Sequence, residues 1–175
     1  AILCVPSTVL HLQHIRMPPL AEPEIKKALP WEVKGKLPID PNHSVLRHIV
    51  AGDVQVNNEP RQEVIVLATP KTTVSQMLYV AGRAKLNVIG MNVEPRALVD
   101  CFSHVYRRKQ DADVTTCFVD IGCRSTRVTI ARGAQILFAR GIEIGGDTLT
   151  NAVAQAMAIS FEPVSYTHLT LPTKA

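Results

Sequence analysis

Long hydrophobic runs, aromatic residues and charged residues are all scarce in this sequence. It has no apolar run long enough to cross a bilayer, so no transmembrane segment is expected. Aromatic residues make up only 5%, and none is interleaved with the one basic cluster, at 107–109, so a nucleic-acid surface is not expected. Charged residues are also few, at 19%, and leave a net charge of +4. Apolar residues are abundant at 46%, which is enough for one domain or two small ones in 175 residues.

Cysteine and histidine do not form the patterns of a metal site. The four cysteines include no Cys-x-x-Cys pair, and three of them lie in apolar segments. We therefore predict reduced core cysteines in a cytosolic protein. The first eight residues, AILCVPST, lack the basic region of a signal peptide, and the first residue is not a methionine. We expect a fragment whose true beginning is missing.

Strand and helix patterns alternate along the chain, which is typical of an α/β fold. Strands are predicted at 2–5, 9–16, 45–55, 63–69, 87–93, 115–121, 126–132 and 135–143, with a turn at Asn57 and Asn58. Helices are predicted at 23–29 and 70–85, and from about 95 and 147 onward, with a second turn or helix at 31–36. Pro30 is predicted to separate the first two helices, because an interior proline removes a hydrogen bond and clashes with the preceding turn. Trp31 is interpreted as a packing residue.

The three longer helices each carry an apolar stripe with the spacing of one buried face. The stripes are Val74, Met77, Leu78 and Ala81; Leu98, Cys101, Phe102 and Val105; and Leu149, Ala152, Val153 and Ala156. Leu78 in particular is expected to be a core residue. A polar stretch at 107–113 is the clearest predicted linker.

The segment CFVDIGCRSTRVTI, at 117–130, joins two apolar strands through a loop of hairpin length. Gly122 permits a turn where a Cβ would clash. The N–H groups of such a loop suit phosphate oxygens, and Ser125 and Thr126 add hydroxyls. Asp120, at the strand end, can hold a hydrated magnesium ion or orient a water. For these residues alone, an ordinary hairpin with a surface aspartate is the simpler interpretation.

A second motif, IEIGGDTLTNAVAQAM, follows the third strand of this group. Gly145 and Gly146 permit close approach of the backbone to a ligand, and the N-terminus of the helix that follows favours anions. The alternative is a loop with a helix cap at Asp147 or Thr148.

Together these motifs resemble a known family. D-I-G-x-x-S-T followed by I-x-I-G-G-D-x-L-T is similar to the second phosphate loop and following helix of the actin-like ATPase superfamily. Upstream, VPSTVLHLQHIRMPPLAEPEIKKALPWEVKGKLPID and VIVLATPKTTVSQMLYVAGRAKLNVIGMNVEPRAL resemble the PilM family of type IV pilus assembly proteins. The resemblance covers about 1–160, with several motifs in the family's order.

The resemblance implies a partial actin-like (ribonuclease H-like) α/β fold with a small inserted α/β subdomain. It places the end of the first actin-like subdomain at 1–7 and an inserted, partner-binding subdomain at 8–92. A returning helix and linker follow at 93–116, and the second actin-like subdomain begins at 117–160. Residues 161–175, FEPVSYTHLTLPTKA, resemble a translated sequencing adapter and are expected to be a non-native tail, of which 163–175 should make few contacts with the rest of the fold.

The resemblance also implies a cytoplasmic protein, peripheral on the inner face of the cytoplasmic membrane. It would bind the cytoplasmic N-terminus of PilN, join other proteins of the inner-membrane platform, and in full length bind ATP and magnesium with weak or no hydrolysis. Asp120 would be the catalytic or magnesium-holding carboxylate. Phosphate would be contacted by Gly122, Ser125 and Thr126, and the nucleotide approached less directly by Gly145 and Gly146.

Cys123 and Arg124 depart from the family, which usually has small residues in this loop. Arg124 either reaches a phosphate or points to solvent. The family's first phosphate loop and adenosine-contacting region lie outside this chain. The alternatives are an FtsA-like cell-division actin homologue, a sugar kinase or other phosphotransfer enzyme, and a scaffold that has lost nucleotide binding.

Overall fold

The computed structural model describes residues 1–103, 113–162 and 164–165, and these form an α/β fold. The strands are β1 (Ile2–Val5), β2 (His11–Met17), β3 (Ser44–Val56), β4 (Glu59–Pro70), β5 (Gly90–Val93), β6 (Thr115–Ile121), β7 (Thr126–Arg132) and β8 (Gln135–Ile142). The helices are α1 (Glu22–Glu32), α2 (Lys71–Arg83), α3 (Glu94–Ser103) and α4 (Gly146–Met157). The chain divides into a first unit, Ala1–Cys117 with Thr129–Ala139, and a second unit, Phe118–Val128 with Arg140–Ala175.

The core of the first unit is an antiparallel sheet in the order β2–β4–β3. Residues 64–69 of β4 are all buried, because β4 lies in the middle and packs on both faces. Asn57 and Asn58 join β3 to β4 with φ values of 52° and 64°. Asparagine tolerates this left-handed conformation, which two-residue hairpin turns require. The predicted strands and turn are confirmed here.

Helix α1 covers one face of this sheet and continues through Pro30, so the prediction that the first helix ends before Pro30 is wrong. A turn follows at 33–36. Ile25, Leu29 and Val33 are spaced four residues apart and are buried in one cluster with residues of β2 and β4. Each such side chain stabilises the fold by about 1.5–3 kcal/mol when fully buried. Together they outweigh the cost of about 3 kcal/mol for an interior proline. The helix also ends at Glu32, so the proline disturbs only the last turn.

Helix α2 lies over the other face, where its Met77 packs against a cluster that contains Val5 of β1 and Leu67 of β4. Ala81 is buried as predicted, but Leu78 is 44% exposed, so its prediction as a core residue is wrong. One position along a helix turns the side chain by about 100°, which moves Leu78 off the face that Met77 presents.

Strands β1 and β5 form a separate two-stranded parallel sheet. The Ser7 N–H donates to Glu94 Oε2 at 2.9 Å, and the Ser7 hydroxyl donates to the same oxygen. These bonds join the segment after β1 to the first residue of α3. A serine and a glutamate far apart in sequence thereby fix how α3 begins.

The predicted buried stripes of α3 and α4 are wrong in most of their members. In α3 the buried residue near the middle is Val99, whereas Cys101 and Phe102 are exposed and Val105 lies outside the described residues. In α4 the buried residues are Thr150 and Ala154. The predicted α4 stripe is exposed throughout, with Leu149 61% exposed. Apolar spacing marks a face that is able to be buried, but in the described parts of the chain no element covers these two.

The prediction that the four cysteines lie in the core is also wrong, because all four are exposed, although they are free thiols. They are Cys4, Cys101, Cys117 and Cys123. An apolar segment buries only the side chains on its covered face, and these thiols lie on other faces. Trp31 is likewise 77% exposed, so its interpretation as a packing residue is wrong.

Strands β6, β7 and β8 are confirmed close to their predicted bounds and pair in consecutive order. The part of β8 in the first unit is tied to β2. His14 Nε2 lies 3.1 Å from the Ala139 carbonyl oxygen, and the His14 ring lies 4.9 Å from that of Phe138. Gln135 Nε2 also donates to the Ala51 carbonyl oxygen of β3 at 3.1 Å. The part of β8 that belongs to the first unit is therefore anchored on the central sheet.

Several predictions fall on residues that the structure does not describe. They include residues 104–112, which hold most of the predicted linker, and Tyr166 and Leu169 of the predicted tail. Val164, also in that tail segment, is described and is 4% exposed. Among the described helices, none combines the length and apolar character of a membrane span.

Candidate functional site

The loop at 122–126 joins β6 to β7 in a tight turn within the second unit. The Gly122 N–H donates to the Ser125 carbonyl oxygen at 2.9 Å, which closes the loop. A Cβ on Gly122 would lie 3.0 Å from that oxygen, so a larger residue would strain the turn. Among the described residues, the N–H groups of Cys123 and Arg124 donate to no backbone acceptor. Two backbone donors are therefore free in the loop, as phosphate recognition requires.

The first turn of α4 packs against the backbone of this loop. The N–H groups of Gly146 and Asp147 donate to the carbonyl oxygens of Gly122 and Cys123, at 2.9 and 2.7 Å. A Cβ on Gly145 would lie 2.6 Å from both oxygens, closer than two such atoms can approach. Gly145 is therefore required for contact between loop and helix. The helix N–H groups that were predicted to favour an anion are instead used within the protein.

The two hydroxyls of the loop differ in their availability. Thr126 Oγ1 donates to the Ile144 carbonyl oxygen at 2.7 Å, so its proton is already used. The half-buried Ser125 side chain makes no hydrogen bond to any described residue, and its O–H is free to donate. The geometry therefore favours Ser125 over Thr126 as a phosphate donor.

Asp120, the predicted metal or water-orienting carboxylate, is paired with an arginine. Arg127 Nη1 donates to Asp120 Oδ2 at 2.6 Å, from β7 to β6. The Asp120 side chain is 49% exposed, so part of the carboxylate faces solvent. The sequence analysis did not identify Arg127, although the register of the hairpin predicts that Arg127 faces Asp120. If Gly122 pairs with Ser125, residues two positions further out on each strand also face each other.

Arg124, the residue that departs from the family, points toward the start of α4. Its Nε lies 4.0 Å from Asp147 Oδ2, and the side chain is 84% exposed. An ion pair this long and this exposed adds little stability. The arginine is therefore free to reorient toward an anion at the loop.

The carboxylates of the site are too few to bind a magnesium ion without phosphate or water ligands. Among the described residues, no group of three or more His, Cys, Asp and Glu side chains gathers as a metal site. Magnesium usually keeps several waters and takes one or two carboxylates together with phosphate oxygens. Asp120 therefore fits a hydrated ion held mainly by phosphate, and Arg127 competes for the same carboxylate oxygen.

The structure thus brings most of the predicted site residues into one place. Gly122, Ser125, Gly145 and Gly146 meet where the loop contacts α4, and Thr126 closes that contact through Ile144. Asp120 precedes the loop on β6 with its carboxylate turned to Arg127. The arrangement can supply backbone and hydroxyl donors to an oxyanion from one side.

Solved structures share this fold. A chain of the PilM-PilN type IV pilus biogenesis complex is similar with a TM-score of 0.75 and 22% identity, over 97% of this chain and 50% of that one. The cytoplasmic domain of EpsL, an inner membrane component of the type II secretion system of Vibrio cholerae, is similar with a TM-score of 0.50 and 12% identity. That likeness covers 87% of this chain and 53% of the EpsL chain. A Bacteroides thetaiotaomicron protein with actin-like ATPase fold and unknown function has a TM-score of 0.45 and 13% identity, over 91% and 55%.

This chain therefore spans about half the length of the solved chains that it matches. At these identities the first two structures show a shared fold and no more. They confirm the predicted α/β fold class.

The match to a family model identifies the family of this chain as well as its fold. Residues 1–169 match the family described as type IV pilus assembly protein PilM, beyond the limit near 160 predicted from the motifs. No curated protein matches the sequence. Because the family match covers nearly all of the sequence and the fold agrees with it, the chain belongs to the PilM family of type IV pilus assembly proteins.

Proposed function

We propose that this chain is part of a component of the type IV pilus inner-membrane assembly platform that binds the cytoplasmic N-terminus of PilN. The observation that carries the proposal is the family match over residues 1–169. The likeness to a chain from a PilM-PilN complex supports it. In this role the protein would be cytoplasmic, lie against the inner face of the membrane, and contact further platform proteins.

The proposed partner-binding subdomain is the segment at 8–92. It contains the β2–β4–β3 sheet with α1 on one face and α2 on the other. The core under α1 lies wholly within this segment, whereas the core under α2 also includes Val5 and Val93. A rigid sheet with both faces covered presents its remaining surface in one conformation, which lowers the entropic cost of binding a peptide. The proposed boundaries of the other segments remain 1–7, 93–116, 117–160 and 161–175.

We further propose that the loop at 122–126 binds a phosphate group of ATP. The free N–H groups of Cys123 and Arg124 and the free hydroxyl of Ser125 support this assignment. Asp120 would hold magnesium through water, and the ion would neutralise phosphate charge when bound. Gly145 and Gly146 would act by holding the loop against α4. A scaffold without nucleotide is the second candidate, favoured by the ion pair that engages Asp120.

The test of PilN binding uses a fluorescein-labelled peptide of the PilN cytoplasmic N-terminus. We expect its anisotropy to rise saturably with this chain, and a peptide of the same composition in scrambled order to show no saturable rise. Hydrogen exchange of the complex should show new protection within 8–92. Absence of saturable binding would remove PilN as a partner of this chain, and protection confined outside 8–92 would move the binding site.

A further inference from the structure

The ion pair between Asp120 and Arg127 engages the carboxylate that is proposed to hold magnesium. Arg127 Nη1 donates to Asp120 Oδ2 at 2.6 Å, which is short even for a hydrogen bond between charged groups. The Arg127 side chain is 27% exposed and that of Asp120 is 49% exposed. Partly buried charges are screened less by salt than exposed ones, so the guanidinium offsets the charge of the carboxylate.

The backbone of the hairpin places these two side chains opposite each other. The Gly122 N–H donates to the Ser125 carbonyl oxygen at 2.9 Å, so Asp120 on β6 faces Arg127 on β7 two positions further along each strand. Residues directly opposite in an antiparallel pair project from the same face and interact there. The pair is therefore formed by the hairpin itself, before any ligand binds to the loop.

The second arginine near the loop, Arg124, is held much less firmly. Its Nε lies 4.0 Å from Asp147 Oδ2, and its side chain is 84% exposed. An exposed pair at this distance is weak, so Arg124 is able to leave Asp147 and meet an anion. The two arginines therefore differ in kind, because Arg127 is already bound to a carboxylate by a short hydrogen bond.

An unpaired Asp120 would oppose the binding of phosphate to the loop. Asp120 lies two residues before Gly122, and like charges repel each other even in water, where two unit charges 4 Å apart change an affinity by about fivefold. A divalent cation ordinarily neutralises phosphate charge in such a site. Here Arg127 supplies a positive charge to the same carboxylate from within the protein.

We propose that Arg127 is an internal counter-ion of Asp120, with two opposite effects on the site. It lets the loop meet the phosphate of a nucleotide without a divalent cation, and it weakens the hold of Asp120 on such a cation. Arg127 is thus a positioning residue that sets how strongly nucleotide binding depends on magnesium. The inference rests on the proposed function of the loop at 122–126, and its two effects are measured separately.

The first experiment tests metal alone on this chain, with Mn²⁺ as a paramagnetic substitute for magnesium. The Mn²⁺ concentration that half-broadens the Ile121 amide signal is measured by NMR. Arg127→Gln should lower it by about fivefold, because Asp120 is released. Arg127→Lys keeps the charge and should change it less. Broadening should be lost in the double variant Asp120→Asn with Arg127→Gln, whereas Arg140→Gln, which removes an exposed positive charge of the same unit, should match the unmodified chain.

The second experiment titrates labelled ATP against a protein of the length of the solved relatives, once with EDTA and once with magnesium. Arg127→Gln should raise the Kd by about fivefold in EDTA and leave it unchanged or lower with magnesium. Arg124→Gln, which removes the other arginine near the loop, should raise the Kd under both conditions.

The two experiments separate this proposal from the proposed function. A Mn²⁺ response in Arg127→Gln equal to that of the unmodified chain would overturn the proposal. So would an equal change of the Kd with EDTA and with magnesium, since Arg127 would then contact phosphate directly or serve the hairpin alone. If the unmodified longer protein bound no ATP under either condition, the nucleotide function of the loop would fall, and this proposal with it.

Discussion

Gly145 is the residue on which the contact between the loop and α4 depends most directly. Its backbone angles, φ −147° and ψ −169°, are open to alanine, so any loss in a Gly145→Ala variant comes from contact and not from backbone strain. The added Cβ would lie 2.6 Å from the carbonyl oxygens of Gly122 and Cys123. We expect overpacking to lower the free energy of unfolding by about 1–3 kcal/mol, measured by urea denaturation.

Gly82→Ala is the control for this prediction, because it makes the same chemical change in open space. Gly82 lies in α2 with no atom within 4 Å of an added Cβ. Alanine should raise the stability there by about 0.5–1 kcal/mol, since glycine is the poorer helix former. A Gly145→Ala chain as stable as the unmodified one would show that loop and helix do not touch so closely.

At this scale the sequence predicts which of these residues lie together, and it predicts their contacts less well. Gly122, Ser125 and Gly145 were identified from their motifs, and the structure gathers them. The role expected for Gly145, approach to a ligand, is in the structure an approach to the loop itself. Such a role depends on contact between two segments, and the spacing of residues within one segment does not predict the distance between Gly145 and the loop.

At the scale of elements, the buried stripe of α1 stabilises the first unit. Leu29 is 2% exposed and packs in one cluster with Ile25, Val64 and Val66. Leu29→Ala should therefore lower the free energy of unfolding by about 2–5 kcal/mol, the range of large-to-small core changes. Thermal or urea denaturation checks this directly.

Leu78→Ala in α2 is the matched variant at an outward-facing position. Its side chain is 44% exposed and loses less contact on truncation, so the cost should fall below that at Leu29. An equal loss at both positions would mean that Leu78 is covered in solution.

The contrast between α1 and α4 shows why helices are easier to predict than their buried faces. Both sequences have helical spacing of apolar residues, and both form helices. The face of α1 meets a sheet, whereas Leu149 and Val153 of α4 stay exposed. The spacing of apolar residues can be found in one segment alone, but burial of a helix face requires a second segment that packs against it. The prediction that Pro30 ends the helix was wrong for the same reason, because the contacts of α1 with the sheet outweigh the energetic cost of an interior proline.

At the scale of the molecule, the proposed nucleotide binding depends on how much of the binding site this chain supplies. This chain offers one loop with a few donors, each worth about 0.5–1.5 kcal/mol net. Millimolar affinity already requires about 4 kcal/mol. We therefore expect no detectable binding of labelled ATP by this chain, as measured by titration with magnesium present.

A protein of the length of its solved relatives should bind ATP with magnesium, and Asp120→Ala should weaken that binding at least several-fold. Glu143→Ala, which removes another exposed carboxylate of the second unit, is the control and should leave affinity unchanged. Tight binding by this chain alone would contradict a two-sided site. Unchanged affinity in the longer Asp120→Ala protein would remove Asp120 from the site and favour the scaffold.

The pairing of β1 with β5 has a consequence for synthesis on the ribosome. Ile2 pairs with Gly90 and Val5 with Val93, so β1 is made long before its partner exists. The β3–β4 hairpin, closed by two asparagines, loses far less chain entropy on closing and should form first. At about 5–20 residues per second, β1 waits on the order of 5–20 s with its edge unpaired. Throughout that interval the apolar segment ILCV is open to chaperones and to other nascent chains.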